Sequence, residues 1–185
     1  MTRVTLADLE PAIALGPLDG RYRGDAAPLV DYLSEAALNR NRIHVEVEWF
    51  IHLLESNVFE GVRTLHDDEK RQLRGLVETF DHTTISQLAT FEAVTVHDVK
   101  AVEYLIKESL SQIGADDLSE LVHFCCTSED INNLSYAVGL KGAIENVWLP
   151  RARTLIDTLA QMAEDLADTP MLSHAHGCLL YTSDA

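Results

Sequence analysis

Apolar residues recur at intervals of three and four along most of the chain, which is the spacing of one buried face of an α-helix. The pattern predicts a first long helix that begins near Pro28 and continues to about Glu55. A second helix is expected after Asp67 or Asp68, since either carboxylate can cap a helix start. The inner faces of these helices are predicted to carry Ile43, Val47, Phe50, Ile51 and Leu54 in the first, and Leu73, Leu76, Val77 and Phe80 in the second.

The second half of the chain predicts two more long helices. One is expected to start just after Thr95 and to end near Gly114, before a short helix that reaches Leu121. The other starts at residues 127–130, because a Thr followed three residues later by an acidic side chain has the form of a capping box. Both predicted starts carry polar side chains that could also bind a ligand.

Pro150 should kink or break the last helix, because proline removes a backbone donor and its ring clashes with the preceding turn. Helical periodicity resumes over residues 155–166. Residues 1–27, which are rich in Gly, Pro and Asp, lack this periodicity. No segment alternates apolar and polar residues with period two, so the sequence predicts an all-α fold.

Composition and charge narrow the class of protein. Of 185 residues, 46% are hydrophobic and 24% are charged, as in an ordinary globular protein. No apolar run approaches the roughly eighteen residues that span a bilayer, and the first ten residues do not resemble a secretory signal, so we expect a cytoplasmic protein without a membrane partner. The net charge of −16 argues against a nucleic-acid partner, although a few placed cations can still hold a small anion.

Metal and redox chemistry are not expected. Cys125, Cys126 and Cys178 have no metal-ligand spacing and are predicted to be reduced, buried thiols. His174 and His176 could bind a metal, but no third ligand stands at a suitable spacing, so proton transfer by a histidine is the preferred interpretation. The sequence therefore predicts neither a metal nor a cofactor.

Two polar stretches in the first hundred residues could bind an anion. In the first, Gly20 permits a sharp turn and the guanidinium of Arg21 suits a phosphate or carboxylate, although a solvated arginine in an N-terminal loop is the alternative. In the second, His97 stands at a predicted helix start, where free backbone N–H groups favour anions. Favourable helix electrostatics would by itself explain Asp98 in the first turn.

A third polar stretch runs from His123 to Asn133. Thr127 and Ser128 can simply cap a helix, yet hydroxyls beside free N–H groups also bind carboxylates. Asn132 and its neighbour are poor helix formers on an early turn, so something other than helix propensity placed them there.

Taken together and in order, four blocks of sequence resemble adenylosuccinate lyase, a family of the fumarase/aspartase superfamily. They are PLDGRY at 17–22, HDVKAVEY at 97–104, HFCCTSEDINNL at 123–134 and LSHAHG at 172–177. The second and third blocks are highly specific, and the resemblance spans about residues 15–177. It implies an N-terminal helical domain at 1–115 and the first long helices of a helical bundle at 116–177. The tail at 178–185 does not match the family, and we expect it to be foreign.

The resemblance also implies an activity and a set of roles. Family members release fumarate by β-elimination from adenylosuccinate, giving AMP, and from a succinylated imidazole-carboxamide ribotide in purine biosynthesis. The implied roles are the general acid for His176, binding of a succinyl carboxylate for Thr127 and Ser128, contact with the nucleotide phosphate for Arg21 and Tyr22, and a ligand-binding pair for His97 and Asp98.

Departures from the family pattern qualify these roles. The family's basic serine lies on a loop of the form SSxMPxKxN that this sequence does not contain, and the family's HGQPATP continuation stops after Gly177. Val96 stands where Asn is common, and Ala175 stands where Thr is common. Family members are homotetramers whose active sites draw on three subunits. We therefore expect this chain to be an N-terminal fragment that is inactive and poorly soluble alone.

Two other interpretations stay open at this point. The chain could belong to another lyase of the superfamily, of the argininosuccinate type. It could also be a non-catalytic helical module that serves assembly.

Overall fold

The computed structural model describes residues 16–169 and the backbone of two short strands, His174–Ala175 and Cys178–Leu179. Those strands form an antiparallel pair. The described residues otherwise form α-helices, with 3-10 helices at Ala27–Leu29 and Asp116–Leu121 and a π-helical turn at Ile144–Trp148. The α-helices are α1 (Arg23–Ala26), α2 (Val30–Leu33), α3 (Glu35–Glu55), α4 (Asp67–Glu78), α5 (His82–Thr95), α6 (Asp98–Gln112), α7 (Ser128–Ala143) and α8 (Leu149–Asp165). The prediction of an all-α fold is confirmed.

The chain divides into two compact units, Met1–Val147 and Trp148–Ala185. Helices α1 to α7 belong to the first unit, and α8 belongs to the second. The expected boundary near residue 115 concerns the domains of a longer protein and stays a prediction. The expected tail at 178–185 lies largely outside the described residues. No helix among the described residues is long and apolar enough to cross a membrane.

The main apolar core of the first unit lies between α3, α4 and α6. The five residues predicted for the inner face of α3 are all buried, and Phe50 is completely inaccessible to solvent. Ile106 and Leu110 on α6 and Leu73 on α4 pack into the same cluster. A second, smaller cluster joins α3, α6 and α7 through Val45, Val99 and Ile131.

The start of the first long helix differs from the prediction. The expected continuous helix from Pro28 is interrupted at Ser34, whose backbone is extended. The Ser34 hydroxyl accepts a hydrogen bond from the backbone N–H of Ala37 at 3.1 Å, so Ser34 caps α3 instead of continuing a helix through it. Pro28 lies in the preceding 3-10 turn.

Two other helix starts also correct the sequence interpretation. Helix α4 is capped by His66, whose backbone N–H donates to Glu69 Oε2 at 2.6 Å, and not by Asp67 or Asp68. Helix α5 was not expected at all. It begins after Asp81, whose carboxylate accepts from two backbone N–H groups, and it buries only Leu88. A helix with one buried residue leaves little periodic signal in the sequence.

The helix does not break at Pro150, since the backbone from Ile144 to Trp148 is helical, and the alternative, a kink, stays a prediction. The π-helical turn at 144–148 directly precedes α8, and Pro150 lies in the first turn of α8. The wider turn before it avoids the clash that the ring would make with a regular preceding turn.

Candidate functional site at the starts of α6 and α7

Two helix starts that are 30 residues apart in sequence meet at a pair of side chains. His97 is the N-cap of α6, and its Nδ1 accepts a hydrogen bond from the backbone N–H of Lys100 at 3.2 Å. Because Nδ1 is the acceptor, the neutral imidazole carries its proton on Nε2. Nε2 lies 3.3 Å from Oγ of Ser128, the first residue of α7. The imidazole N–H therefore points to the serine hydroxyl.

The predicted capping box at the start of α7 is present. The Asp130 carboxylate accepts from the backbone N–H of Thr127 at 2.8 Å and from its hydroxyl at 3.0 Å. These hydrogen bonds, the backbone one first, hold the pKa of Asp130 below its ordinary value. The carboxylate thus stays ionised and fixes the first turn of α7, and the capping role of Thr127 is confirmed.

Asp98 is held by the protein on both carboxylate oxygens. Oδ1 accepts from the backbone N–H of Val99 at 2.8 Å, and Oδ2 lies 2.6 Å from Nη2 of Arg42. Burial would raise the pKa of Asp98, but the Val99 hydrogen bond and the Arg42 charge outweigh it and leave the pKa below its ordinary value. About half of the side chain is still exposed, so Asp98 contacts the protein on one side and solvent on the other.

Arg42 on α3 connects both helix starts and was missed by sequence reasoning. Its side chain is only 5% exposed. Besides Asp98, it donates to Asn132 Oδ1 on α7 and to Asn39 Oδ1 on its own helix, each at 2.9 Å. This contact explains the placement of Asn132, which helix propensity did not. A usable signal was the spacing of Asn39, Arg42 and Glu46, which are three and four residues apart and so place three polar side chains on one side of the helix.

A buried carboxylate and a histidine form a second missed feature next to the site. Glu46 on α3 is completely buried, and its Oε1 lies 2.5 Å from Nδ1 of His123. Its other oxygen has no hydrogen-bond partner among the described residues. Burial raises the pKa of Glu46 and is opposed by the hydrogen bond and charge of His123.

The loop that contains His123 has a constrained backbone and leads directly into Thr127. His123 and Cys125 both have positive φ, 62° and 61°, in the left-handed region that most side chains avoid. The Phe124 carbonyl accepts from Nε1 of Trp49 on α3 at 2.9 Å. Two side chains of α3 therefore hold the loop: Glu46 contacts the His123 side chain, and Trp49 donates to the Phe124 carbonyl.

The two cysteines of this loop are free. Cys125 is exposed, which corrects the expectation of a buried thiol. Burial raises the pKa of the partly buried Cys126 to about 11, so this thiol stays protonated near neutral pH and is not a nucleophile.

The remaining predicted site residues lie elsewhere. Arg21 and Tyr22 are exposed in the turns that precede α1, with the guanidinium 5.7 Å from the centroid of the Tyr22 ring. Within the described part of the chain, no hydrogen bond or ion pair joins either residue to His97 or Ser128. His176 lies outside the described residues. The structure thus brings together His97, Asp98, Thr127 and Ser128.

This arrangement can bind a small anion that carries a carboxylate. The N-terminal ends of α6 and α7 carry the positive ends of their helix dipoles. The Ser128 hydroxyl, which accepts from the imidazole N–H of His97, can donate its own proton to an oxyanion. Fixed donors of this kind also stabilise negative charge that develops during a reaction.

Comparison with known proteins gives the chain a family and relatives. The family model described as Lyase matches residues 20–178. The chain is 39% identical over 170 residues to adenylosuccinate lyase of Haemophilus influenzae, 40% over 171 residues to that of Escherichia coli strain K12, and 33% over 181 residues to that of Dictyostelium discoideum.

These matches cover nearly all of this chain and a minor part of each relative. The aligned segments make up 91%, 92% and 96% of this chain, but only 37%, 38% and 39% of the three relatives. The chain therefore spans well under half the length of the curated relatives it matches.

Proposed function

Because this chain belongs to the Lyase family, we propose that it is the N-terminal part of an enzyme that releases fumarate by β-elimination. The proposed substrates are adenylosuccinate, which gives AMP, and the succinylated imidazole-carboxamide ribotide of purine biosynthesis. The observation that carries the proposal is the contact of His97 Nε2 with Ser128 Oγ at 3.3 Å. It joins the two sequence blocks that most resemble adenylosuccinate lyase, and the relatives that match the chain carry that name.

The two helix starts provide what the elimination needs at the succinyl group. Removal of a proton next to a carboxylate creates a carbanion whose charge spreads into that carboxylate. Ser128, Thr127 and the start of α7 bind this carboxylate, and His97 contacts the ligand from α6 beside Asp98. Donors that are already fixed at the growing charge lower the barrier by several kcal/mol, about 3 for a single well-placed donor.

Three further residues complete the proposed roles. Arg21 holds the nucleotide phosphate through its guanidinium, and Tyr22 contacts the same group. His176 protonates the purine nitrogen that leaves, because an imidazole has an unperturbed pKa near neutral pH. The basic serine belongs to a part of the complete protein outside this sequence, so the isolated chain is expected to be inactive.

Assembly is also part of the proposal, and the exposed apolar residues of α7 support it. Leu134, Val138 and Leu140 are each at least two-fifths exposed. Ile131 on the same helix is instead buried between α3 and α6. We propose that the complete protein is a cytoplasmic homotetramer that buries the α7 residues in a helical bundle and completes each site with residues from other subunits.

Fumarate release by the complete protein tests the activity. The parent enzyme is expected to act on adenylosuccinate and not on argininosuccinate. The variant His176→Ala should lose at least about a hundredfold in kcat while it still binds substrate, because a general acid contributes about that much. Ser86→Ala is a matched control, since Ser86 is exposed on α5 and bonds only to a backbone carbonyl of its own helix.

The other outcomes point to the rival interpretations. Turnover of argininosuccinate alone would assign the protein to the other branch of the superfamily. Absence of fumarate release from either compound by the complete protein would favour a non-catalytic helical module. An unchanged rate in His176→Ala would show that a different residue is the acid.

A further inference from the structure

We propose that Arg42 is a positioning residue of this site, which sets the separation between the start of α6 and the start of α7. The inference rests on the proposed function, since it assigns Arg42 to the same carboxylate-binding site. It concerns a residue that has no place in the four blocks of resemblance. Arg42 acts through Asp98 and Asn132 and does not itself contact the substrate.

The guanidinium reaches three acceptors on three elements. Nη2 lies 2.6 Å from Asp98 Oδ2 in the first turn of α6, Nε lies 2.9 Å from Asn132 Oδ1 on α7, and Nη1 lies 2.9 Å from Asn39 Oδ1 on α3. The planar group therefore links all three helices with directed hydrogen bonds. Such a rigid fork fixes direction as well as distance, which a flexible ammonium does not.

Both contacts across helices are adjacent to the ligand-facing groups. Asp98 follows His97 directly in the chain. Asn132 lies four residues after Ser128, which places both on the same side of α7. A displacement of the guanidinium therefore moves both ends of the 3.3 Å contact between His97 and Ser128.

The energetics of burial favour a positioning role over a simple stabilising one. Arg42 is 5% exposed, and taking a charge out of water costs most of what its ion pair returns. A buried arginine with a single carboxylate partner is thus a poor source of stability. The three contacts instead give the two helix starts a defined geometry. Among the described residues, no other side chain of α3 hydrogen-bonds to side chains of both α6 and α7.

The test uses Arg42→Ala in the complete protein, with Arg74→Ala as the matched control. Arg74 also bridges two helices, through a bidentate pair with Glu48 at 2.6 and 2.8 Å, but this pair is exposed and lies on α4 and α3. Arg42→Ala is expected to raise KM for adenylosuccinate about tenfold or more, with a smaller change in kcat, because a misplaced binding group loses affinity first. Arg74→Ala should change KM by less than about twofold.

Two further readouts separate positioning from general damage to the fold. Guanidinium ion at millimolar concentration should lower the KM of Arg42→Ala toward the parental value, because it refills the vacated position. It should not change the KM of Arg74→Ala. Nitrogen NMR of labelled histidine should show the Nε2–H form of His97 in the parent protein and in Arg74→Ala. The His97 signals should shift in Arg42→Ala as the contact with Ser128 is lost.

Each outcome decides the proposal. Unchanged KM together with unchanged His97 signals in folded Arg42→Ala would overturn it. If Arg42→Ala does not fold, Arg42→Lys is used, and it should show the same changes in smaller measure because it keeps the charge without the fork. Parental behaviour of Arg42→Lys, or failure of both variants to fold, would contradict a positioning role. A parent protein that releases no fumarate refutes the proposed function, while the NMR comparison still decides the role of Arg42.

Discussion

Helices α6 and α8 have similar lengths, 15 and 17 residues, and opposite surroundings. Helix α6 buries seven residues in the core of the first unit, among them Val102, Ile106 and Leu110. Helix α8 buries none, although Leu155, Ile156, Leu159 and Met162 repeat with helical spacing along it and are each more than half exposed.

The two helices therefore differ in what holds each of them in place. The proposed ligand-binding groups lie at the start of α6, whose position is fixed by apolar contacts within this chain. The apolar residues of α8 are spaced like those of a buried helix face, yet they are exposed. This is expected of a helix that other parts of an assembly cover. A site on α6 can thus be formed by this chain, whereas we propose that α8 is buried by other parts of the complete protein.

The largest expected effect is the loss of stability when a buried apolar side chain of α6 is truncated, compared with an exposed one of α8. Ile106 is completely buried, so Ile106→Ala should lower the free energy of unfolding by about 3 kcal/mol. Leu159 is 56% exposed, so Leu159→Ala should change it by less than about 0.5 kcal/mol. Denaturant unfolding of the 185-residue chain measures both. In the complete protein both variants should lower the free energy of unfolding. Unchanged stability of Leu159→Ala there would contradict the assembly role of α8.

A contrast within α7 tests how closely that helix approaches its neighbours. A Cβ at Gly139 would lie 2.6 Å from the backbone oxygen of Tyr32, whereas a Cβ at Gly142 would lie 2.6 Å from ring atoms of the same residue. Gly139→Ala should therefore destabilise by about 2 kcal/mol, because the backbone cannot move aside cheaply. Gly142→Ala should cost less, since the Tyr32 ring can rotate and Ala favours the helix. Thermal unfolding of both variants checks the order, and equal losses would contradict it.

Opposite pH dependences should distinguish two carboxylates, Glu46 on α3 and Asp98 at the start of α6. The pKa of Glu46 is raised by burial, so its folded form holds the proton more tightly, and stability is lost as pH rises above the ordinary value of 4.5. Glu46→Gln should therefore gain stability relative to the parent by up to about 1.4 kcal/mol for each pH unit above that value, until the folded pKa of Glu46 is passed. Unfolding at a series of pH values measures this difference.

Asp98→Asn is the matched variant of opposite sign. The pKa of Asp98 is lowered, so its contribution is fully present above 3.8 and disappears as pH falls through the folded pKa. The Asn variant should be less stable than the parent near neutral pH, and the gap should close in acid. The same sign of dependence in both variants would refute the assignment of the two environments.

The smallest expected effect concerns the residue before His97. Val96 is 87% exposed and has φ 51° and ψ 34°, the left-handed region, which a β-branched side chain adopts at a cost. Val96→Asn should stabilise the chain by about 1 kcal/mol, since Asn tolerates this conformation. Val94→Asn, at an equally exposed position within α5, should give no gain because its backbone is helical. A gain of equal size at both positions would show that backbone strain at Val96 is not the cause.

Local signals in the sequence predicted the helix starts at which the proposed site lies. The capping box of Thr127 and Asp130 and the apolar spacing of α3 depend on residues a few positions apart, so both were found. The break at Ser34 was missed because a capping serine inside a periodic run does not disturb the pattern. Arg42 could not be placed, since its partners Asp98 and Asn132 lie 56 and 90 residues away and only the packing of three helices brings them together.

A double-mutant cycle on His97 and Ser128 tests most directly whether the two helix starts act as one carboxylate-binding site. It compares kcat/KM for adenylosuccinate in the complete protein and in His97→Ala, Ser128→Ala and the double variant. We predict that both single variants lose activity and that the double variant loses less than the sum, with a coupling of about 1 kcal/mol or more. Fully additive losses, or no loss in either single variant, would contradict the account.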